Sequence, residues 1–221
     1  MERTFRASLR TVMTRANVKS ALKAAIFAAW RNVAALGRPS TDENRRRLEQ
    51  RGERPSSITI REASRDDIPA IARVHVTAWN DTYAPLRVRG PALEVREEQW
   101  RQLFARPDSG WFCFVAASSR GEVVGFAKAN ESDNPDYGGE LNKIYLLREY
   151  QGLGIGRRLV GHVARRFLEQ GITSMWLFGD ARNPSAYVWR ALGAVKTDDD
   201  PGNGNYGWRD LKTLAERCPI D

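Results

Sequence analysis

Residues 151 to 156 read Gln-Gly-Leu-Gly-Ile-Gly, which sets glycines at 152, 154 and 156 directly before an amphipathic stretch. Three alternate residues without a Cβ let successive backbone N–H groups converge on one point in front of a helix N-terminus. Such a point holds phosphate oxygens. Arg157 and Arg158 would fall in the first helical turn, where cations oppose the macrodipole, so a bound anion or plain solvent exposure would each explain them. The letters exclude two familiar phosphate loops. A nucleotide P-loop would end Gly-Lys-Ser/Thr, whereas Gly156 is followed by Arg157. A dinucleotide fingerprint counted from Gly154 meets Leu159 where its third glycine belongs, and counted from Gly152 it meets Arg157 at a glycine position.

Other reactive chemistry is sparse. Cys113 stands alone in an apolar run, Cys218 is near the end, and His75 and His162 have no Cys or His at ligand spacing. Neither a metal site nor a covalent nucleophile is expected. His75, on a helical pattern, reads as a structural histidine. Asp198-Asp-Asp200 lacks the spacing and terminal Glu of a calcium loop and reads as a solvated turn before Pro201-Gly202. Two unpaired cysteines favour a reducing compartment, and the expected location is cytoplasmic.

The elements that must position the glycine turn follow from periodicity. Glu140 to Leu147 is a short, mostly apolar run suited to a buried strand. After the glycines, Leu159, Val160, Val163, Phe167 and Leu168 share one helical face, and Gly171 is placed to close it. Upstream, Ile58-Thr-Ile60 predicts a strand, and Ser64-Arg-Asp-Asp67 predicts a capping-box opening to a helix with Ile68, Ile71, Val74 and Ala78 inward. Pro69 fits only in its first turn. A second helix after Gly90-Pro91 carries Leu93, Trp100, Leu103 and Phe104 on one face. Trp111 to Ala117 and Glu122 to Ala129 read as a hairpin across Ser118-Ser-Arg-Gly121. Downstream, Thr173 to Phe178 predicts a strand parallel to the Glu140 strand, because a helix crosses between them. A short helix from Pro184 to Leu192 capped by Gly193, strands near Ala194 to Thr197 and Asn205 to Arg209, and a last helix complete the order. The expected fold is α/β, with antiparallel N-terminal strands, a parallel pair at the glycine turn and flanking helices. Its ligand crevice should lie near Leu147 and Phe178.

Charge is distributed unevenly. Residues 1–57 hold 13 Lys+Arg and 5 Asp+Glu, and the remainder holds 22 of each, so the whole net charge of +8 belongs to the first quarter. The expected division is a basic extension over 1–57 and a compact domain over 58–221. Phe5, Leu9, Val12, Met13 and Ala16 lie at helical spacing among arginines, and Ala21 to Leu36 continues as an Ala-rich helix former. A solvated tail, a membrane-surface helix, a nucleic-acid arm and an organellar targeting segment are all consistent with that pattern, so an anionic partner surface for the arm stays open.

Gln151-x-x-Gly154-x-Gly156 resembles the acyl-CoA pyrophosphate signature of the GNAT superfamily of N-acetyltransferases, and residues 58 to 210 follow that family's element order. The resemblance implies acetyl-CoA as cosubstrate, no metal, and direct transfer of the acetyl group to a small-molecule or peptide amine. A homodimer is compatible with it. It also assigns roles. Gln151, Gly152, Leu153, Gly154, Ile155, Gly156 and Arg157 would hold the pyrophosphate. Backbone groups of Ile144, Tyr145, Leu146 and Leu147, freed where the strand splays or bulges, would serve the pantetheine arm and thioester, with Asn183 adding to the arm. Glu140 would be a general base acting through water, and Trp79 and Tyr83 would wall the acceptor site. One departure stands out. The family often places a Tyr acid four residues before a Gly, and here that position before Gly193 is Trp189; Tyr187, two residues earlier, is the substitute candidate. A non-catalytic acyl-CoA-binding module is the alternative that this departure keeps open.

Overall fold

The structure is a computed structural model that describes residues 41–83, 90–106, 109–179, 186–198 and 204–220. The predicted Ala-rich helix and Asn183 lie outside the described residues. In chain order the elements are α1 (Thr41–Gln50), β1 (Thr59–Glu62), α2 (Ile68–Tyr83), α3 (Leu93–Phe104), β2 (Trp111–Ala117), β3 (Val123–Glu131), β4 (Gly139–Leu146), α4 (Ile155–Glu169), β5 (Met175–Leu177), α5 (Ala186–Ala191), β6 (Val195–Lys196), β7 (Tyr206–Trp208) and α6 (Leu211–Arg217). The strands form one seven-stranded sheet in the order β1-β2-β3-β4-β5-β7-β6. Among the described strands only β4 and β5 are parallel, as the crossing helix requires; the other pairs are antiparallel.

Local chemistry accounts for the element boundaries. The Asp67 carboxylate takes hydrogen bonds from the Ser64 N–H at 2.8 Å and from both Arg61 Nη atoms at 2.7 Å, which fixes the turn that opens α2. Pro69 falls in that helix's first turn, where its missing N–H has no partner to lose. Gly171 at φ 79° closes α4, with Ile172 N–H returning to Phe167 O at 2.9 Å. Gly193, at φ 85°, does the same after α5.

The two sheet faces carry different cores. Ala127, Ala129, Leu141 and the inward face of α4 (Leu159, Val160, Val163, Phe167) form one cluster. Phe126, Val115 and Cys113 pack with Ile71, Val74 and Trp100 of α2 and α3 to form the other. His75 is buried in the second, stacked 4.6 Å from Tyr145 and 5.7 Å from Phe126, in keeping with a structural role.

Two expectations need correction. The compact unit begins at Arg38, so the boundary expected near Ser57 falls inside it. The charged run 41–50 is an ordered helix whose Leu48 is fully buried in the α4-side cluster and whose Asn44 is 1% exposed. A short charged helix suits the Arg- and Glu-rich run, but net charge averages over a helix that presents its arginines to water and one narrow face to the protein, so composition does not show that it belongs to the compact unit. Arg158, read as an anion ligand or a solvated side chain, is tied to main-chain carbonyls: its Nη1 donates to Ile58 O at 2.9 Å and Pro55 O at 3.2 Å. Arg165 likewise donates to Ala215 O and Cys218 O at the end of α6, where helix carbonyls lack internal partners.

Burial, with Arg96 and Lys143 adding to it, pushes the His75 imidazole down to about 3. The ring is therefore neutral in the fold and gains a proton below about 6.5 only on unfolding, so its contribution is intact above that pH and is lost as pH falls. His75 should cost up to about 1.4 kcal/mol of stability per pH unit in that window. Denaturant unfolding at pH 7 and pH 5 should accordingly show His75→Leu losing less stability over the interval than the wild type.

Candidate active site

The site is organised by register in β4. Lys128 faces Lys143 and Ala129 faces Leu141, so Asn142 is an extra residue in β4. Side chains alternate along a strand, and without that insertion Glu140 and Lys143 would point to opposite faces. With it, Glu140, Lys143 and Tyr145 join Asn130, Lys128 and Phe126, their cross-strand partners, on the α2–α3 face. Leu141, Ile144 and Leu146 turn to the α4 face and pack with its cluster. The irregularity expected around Ile144 to Leu147 is thus centred earlier, at Asn142, because that is where two polar positions must be brought to one side.

On that face five side chains form a chain of hydrogen bonds. Asn130 Nδ2 donates to Glu140 Oε2 at 3.2 Å and Asn142 Nδ2 donates to Glu140 Oε1 at 2.9 Å. Lys128 Nζ donates to Asn130 Oδ1 at 2.8 Å, and Lys143 Nζ to Asn142 Oδ1 at 2.5 Å. An ammonium only donates and an ionised carboxylate only accepts, so the two lysines and Glu140 together fix which way each amide points. Burial pushes the Lys128 ammonium down to about 8, with Lys143 adding to it and Glu140 opposing; burial and Arg96 lower Lys143 in the same way. Open cavities lie on either side of Glu140's neighbours. One of about 540 Å³ is lined by Trp111, Lys128, Asn130 and Asp133. The other, of about 400 Å³, is lined by Asp136, Tyr137, Trp176, Asp198 and Arg209.

Glu140 is also the last residue of β4 laddered to β5. The parallel pairing consists of Gly139 with Met175 and Glu140 with Trp176, whereas pairing with β3 continues to Leu146. Main-chain groups of Leu141–Leu146 that face β5 therefore have no ladder partner there, which leaves a crevice edge of the kind expected for an extended ligand arm. Ile144, Leu146 and Leu147 are half-buried against the core and Tyr145 stacks on His75, so their side chains serve packing; the Leu147 N–H is taken by Val124 O on the β3 side at 2.9 Å.

Past that edge the glycine turn takes the predicted form. Gly152 and Gly154 sit at φ 78° and 85°, in the region that favours glycine. Gly154 is the N-cap of α4, and the first intrahelical bond is Arg158 N–H to Gly154 O at 3.1 Å. The N–H groups of Ile155, Gly156 and Arg157 precede it and point out of the helix. A Cβ on Gly154 or Gly156 would meet nothing within 4 Å, so space is open above those donors, and the turn fits a diphosphate. Leu153 and Ile155 are buried and can serve it only through the main chain. Gln151 turns its amide inward to Leu146 O at 2.9 Å, tying the turn to the end of β4. Arg157 is exposed, with Nε on Arg217 O at 2.5 Å.

The remaining candidates separate. Trp79 and Tyr83 stack on each other at 4.7 Å near the end of α2, with Trp79 against the main chain of Gly90. Tyr187 is 60% exposed on α5, whereas Trp189 turns inward, edge-on to Trp208 at 6.2 Å. Among the described residues, nothing joins Tyr187 to the Glu140 network. Asn130, Asn142, Lys128 and Lys143 were missed by the sequence reading. Their only signal was polarity inside two otherwise buried strands, which registers as noise until the bulge is known.

Comparison with known proteins agrees with the geometry. Residues 73–194 match the Acetyltransferase (GNAT) family. The uncharacterized N-acetyltransferase YuaI of Bacillus subtilis is 33% identical over 177 residues, covering 72% of this chain and 99% of that protein. A mycothiol acetyltransferase of Paenarthrobacter aurescens is 31% identical over 106 residues, 44% of this chain and 33% of its own. Among solved structures, the PaiA N-acetyltransferase of Thermoplasma acidophilum in complex with coenzyme A superposes with a TM-score of 0.56 at 20% identity, covering 68% of this chain and 98% of that one. The spermidine N-acetyltransferase of Vibrio cholerae in complex with CoA and spermine gives 0.54 at 17%, covering 72% and 99%. This chain belongs to the GNAT family and is an acetyl-CoA-dependent N-acetyltransferase.

A methyl group at position 154 would force φ 85° on an L-residue, at about 1–2 kcal/mol. Gly154→Ala should lower Tm by a few degrees, roughly 2–4 °C per kcal/mol. It should also lose most of the Tm rise that CoA gives the wild type, both read by thermal unfolding with and without CoA.

Proposed function

We propose that the protein moves an acetyl group from acetyl-CoA directly to an amine within a ternary complex, with Glu140 as the general base. The observation that supports this most is the carboxylate itself. It is held by two amides, at the residue where β4 leaves β5, on the sheet face opposite α4. Acetyl-CoA supplies a thioester carbon; the attacking nitrogen forms a C–N bond there as the C–S bond breaks. Glu140 takes the proton from the incoming ammonium through water, and Asn130 and Asn142 keep its two oxygens in place as it does so. The N–H groups at the start of α4 hold the diphosphate, and the main chain of Ile144–Leu147, with Asn183, lines the pantetheine arm. Trp79 and Tyr83 wall the acceptor side. The departing thiolate takes its proton from Tyr187 or from solvent.

We infer a cationic amine as acceptor: Asp136 and Asp198 line the cavity next to Trp176, where Lys196 and Arg209 also stand. The spermine bound in the Vibrio cholerae neighbour is an amine of that class. Thiol release from acetyl-CoA across a panel of polyamines, amino acids and peptides should show turnover with cationic amines, and Asp198→Lys should shift the preference toward neutral ones. A flat panel with firm CoA binding would instead indicate a non-catalytic acyl-CoA-binding module.

Glu140→Gln keeps both amide neighbours but removes the base. It should lower kcat roughly 100-fold, the usual scale of general-base assistance, with the KM for acetyl-CoA unchanged; a kcat within threefold of wild type would sink the assignment. Tyr187→Phe decides the proton donor. A tenfold fall in kcat at unchanged acetyl-CoA KM assigns Tyr187, and unchanged turnover assigns solvent.

A further inference from the structure

Helix α1 and the turn after it lie outside residues 73–194, the part of the chain that matches the family. Yet α1 reaches the cofactor turn. Leu48, fully buried, anchors the helix in the α4-side core. One turn earlier, and so on the same face, Asn44 is 1% exposed, and its Nδ2 donates to Arg148 O and to Gln151 O, both at 2.9 Å. Those two carbonyls bracket the short 3-10 turn Arg148–Tyr150 that carries the chain from β4 to Gly152. A second contact comes from Glu53, 3% exposed, which accepts from Ser119 Oγ at 3.0 Å and from Tyr150 Oη at 3.5 Å. A Cβ on Gly152 would lie 2.7 Å from Thr41 Oγ1, so the first residue of α1 stands against the glycine turn itself.

We infer that Asn44 is a positioning residue for acetyl-CoA: it holds the Arg148–Gln151 turn so that the N–H groups at the start of α4 are preset for the diphosphate. The inference rests on the reading of that turn as the CoA site. The physical argument is one of pre-organisation. The connection between β4 and α4 includes two glycines with positive φ, and a free connection of this kind would have to be ordered each time the ligand binds. One amide group bonded to two carbonyls, anchored by a buried helix, removes that freedom beforehand. Asn44 touches neither cosubstrate nor acceptor, and acts only through the main chain of residues 148 and 151.

The test uses the full-length protein with Asn44→Ala, Asn44→Asp and, as a control on the same helix, Arg47→Ala, which removes only an exposed ion pair with Glu43. CoA affinity is measured by calorimetry, and steady-state constants are measured with the best amine of the panel. Asn44→Ala should weaken CoA binding about tenfold and raise the KM for acetyl-CoA to match, the scale of two lost hydrogen bonds. Asn44→Asp keeps the volume but sets oxygen against two carbonyls, so it should be the worse of the two. Neither should alter kcat or the KM for the amine by more than twofold, and Arg47→Ala should match the wild type. A general loss of folding would not give that split between cosubstrate and amine; should Asn44→Asp fail to fold, Asn44→Ala and faster amide exchange at residues 151–154 in its ligand-free state carry the test. CoA affinity of Asn44→Ala within twofold of wild type overturns the proposal. A wild-type protein that binds no CoA overturns instead the reading of the turn on which it stands.

Discussion

The sheet depends on one inserted residue. Asn142 has no partner on β3, and its insertion reverses which side of the sheet each later residue of β4 faces. Leu141 can therefore lie in the α4-side core, and Lys143 and Tyr145 can still stand with Glu140 over α2 and α3. A regular strand would drive either Glu140 or Lys143 into a cluster of Leu, Val and Phe side chains, where an unpaired charge costs several kcal/mol (about 3–5). The inserted residue is itself an Asn, and it donates to the carboxylate whose position the insertion sets. Geometry and chemistry are joined at one position.

A second constraint is the early end of the β4–β5 ladder. Only two residue pairs join these strands before they part, at an edge whose backbone groups would otherwise be buried and bonded. Beyond that edge α4 starts close behind the end of β4, and Arg158 and Arg165 hold it to carbonyls of the chain before β1 and at the end of α6. By position in the sequence, Arg158 suits a bound anion and solvent exposure equally. The guanidinium groups of Arg158 and Arg165 satisfy helix-end and turn carbonyls, and the N–H groups at the start of α4 are the donors that fit a diphosphate, at a helix N-terminus already biased positive.

The polar chain from Lys128 to Lys143 shows how half-buried charges are tolerated on this face. Neither lysine bonds the carboxylate directly; each is separated from it by an Asn that accepts from one and donates to the other. Burial weakens both ammonium groups, and alternating donors and acceptors leave each group with a partner suited to it. The carboxylate keeps a defined orientation without a tight ion pair.

Most of the element order could be read from the letters. Apolar runs on either side of a polar loop marked β2 and β3, the 3.6-residue pattern marked α2, α3 and α4, and the glycines at 152, 154, 171 and 193 marked the turns, because these depend on neighbours in sequence. The glycine turn was legible for the same reason: its shape is set by six consecutive residues and a helix start. What lay hidden depends on register and on contacts between distant segments. Lys128 and Asn130 gain meaning only across from Lys143 and Glu140, and Asn44 only through carbonyls 104 and 107 residues away. The sequence by itself determined the strand–turn–helix and the ligand chemistry it offers, since local backbone preference decides them. Only the tertiary structure decided which side chains surround Glu140 and that α1 belongs to the domain, since hydrogen bonds between remote segments form when a bulge, a buried leucine and a shared core bring them within about 3 Å.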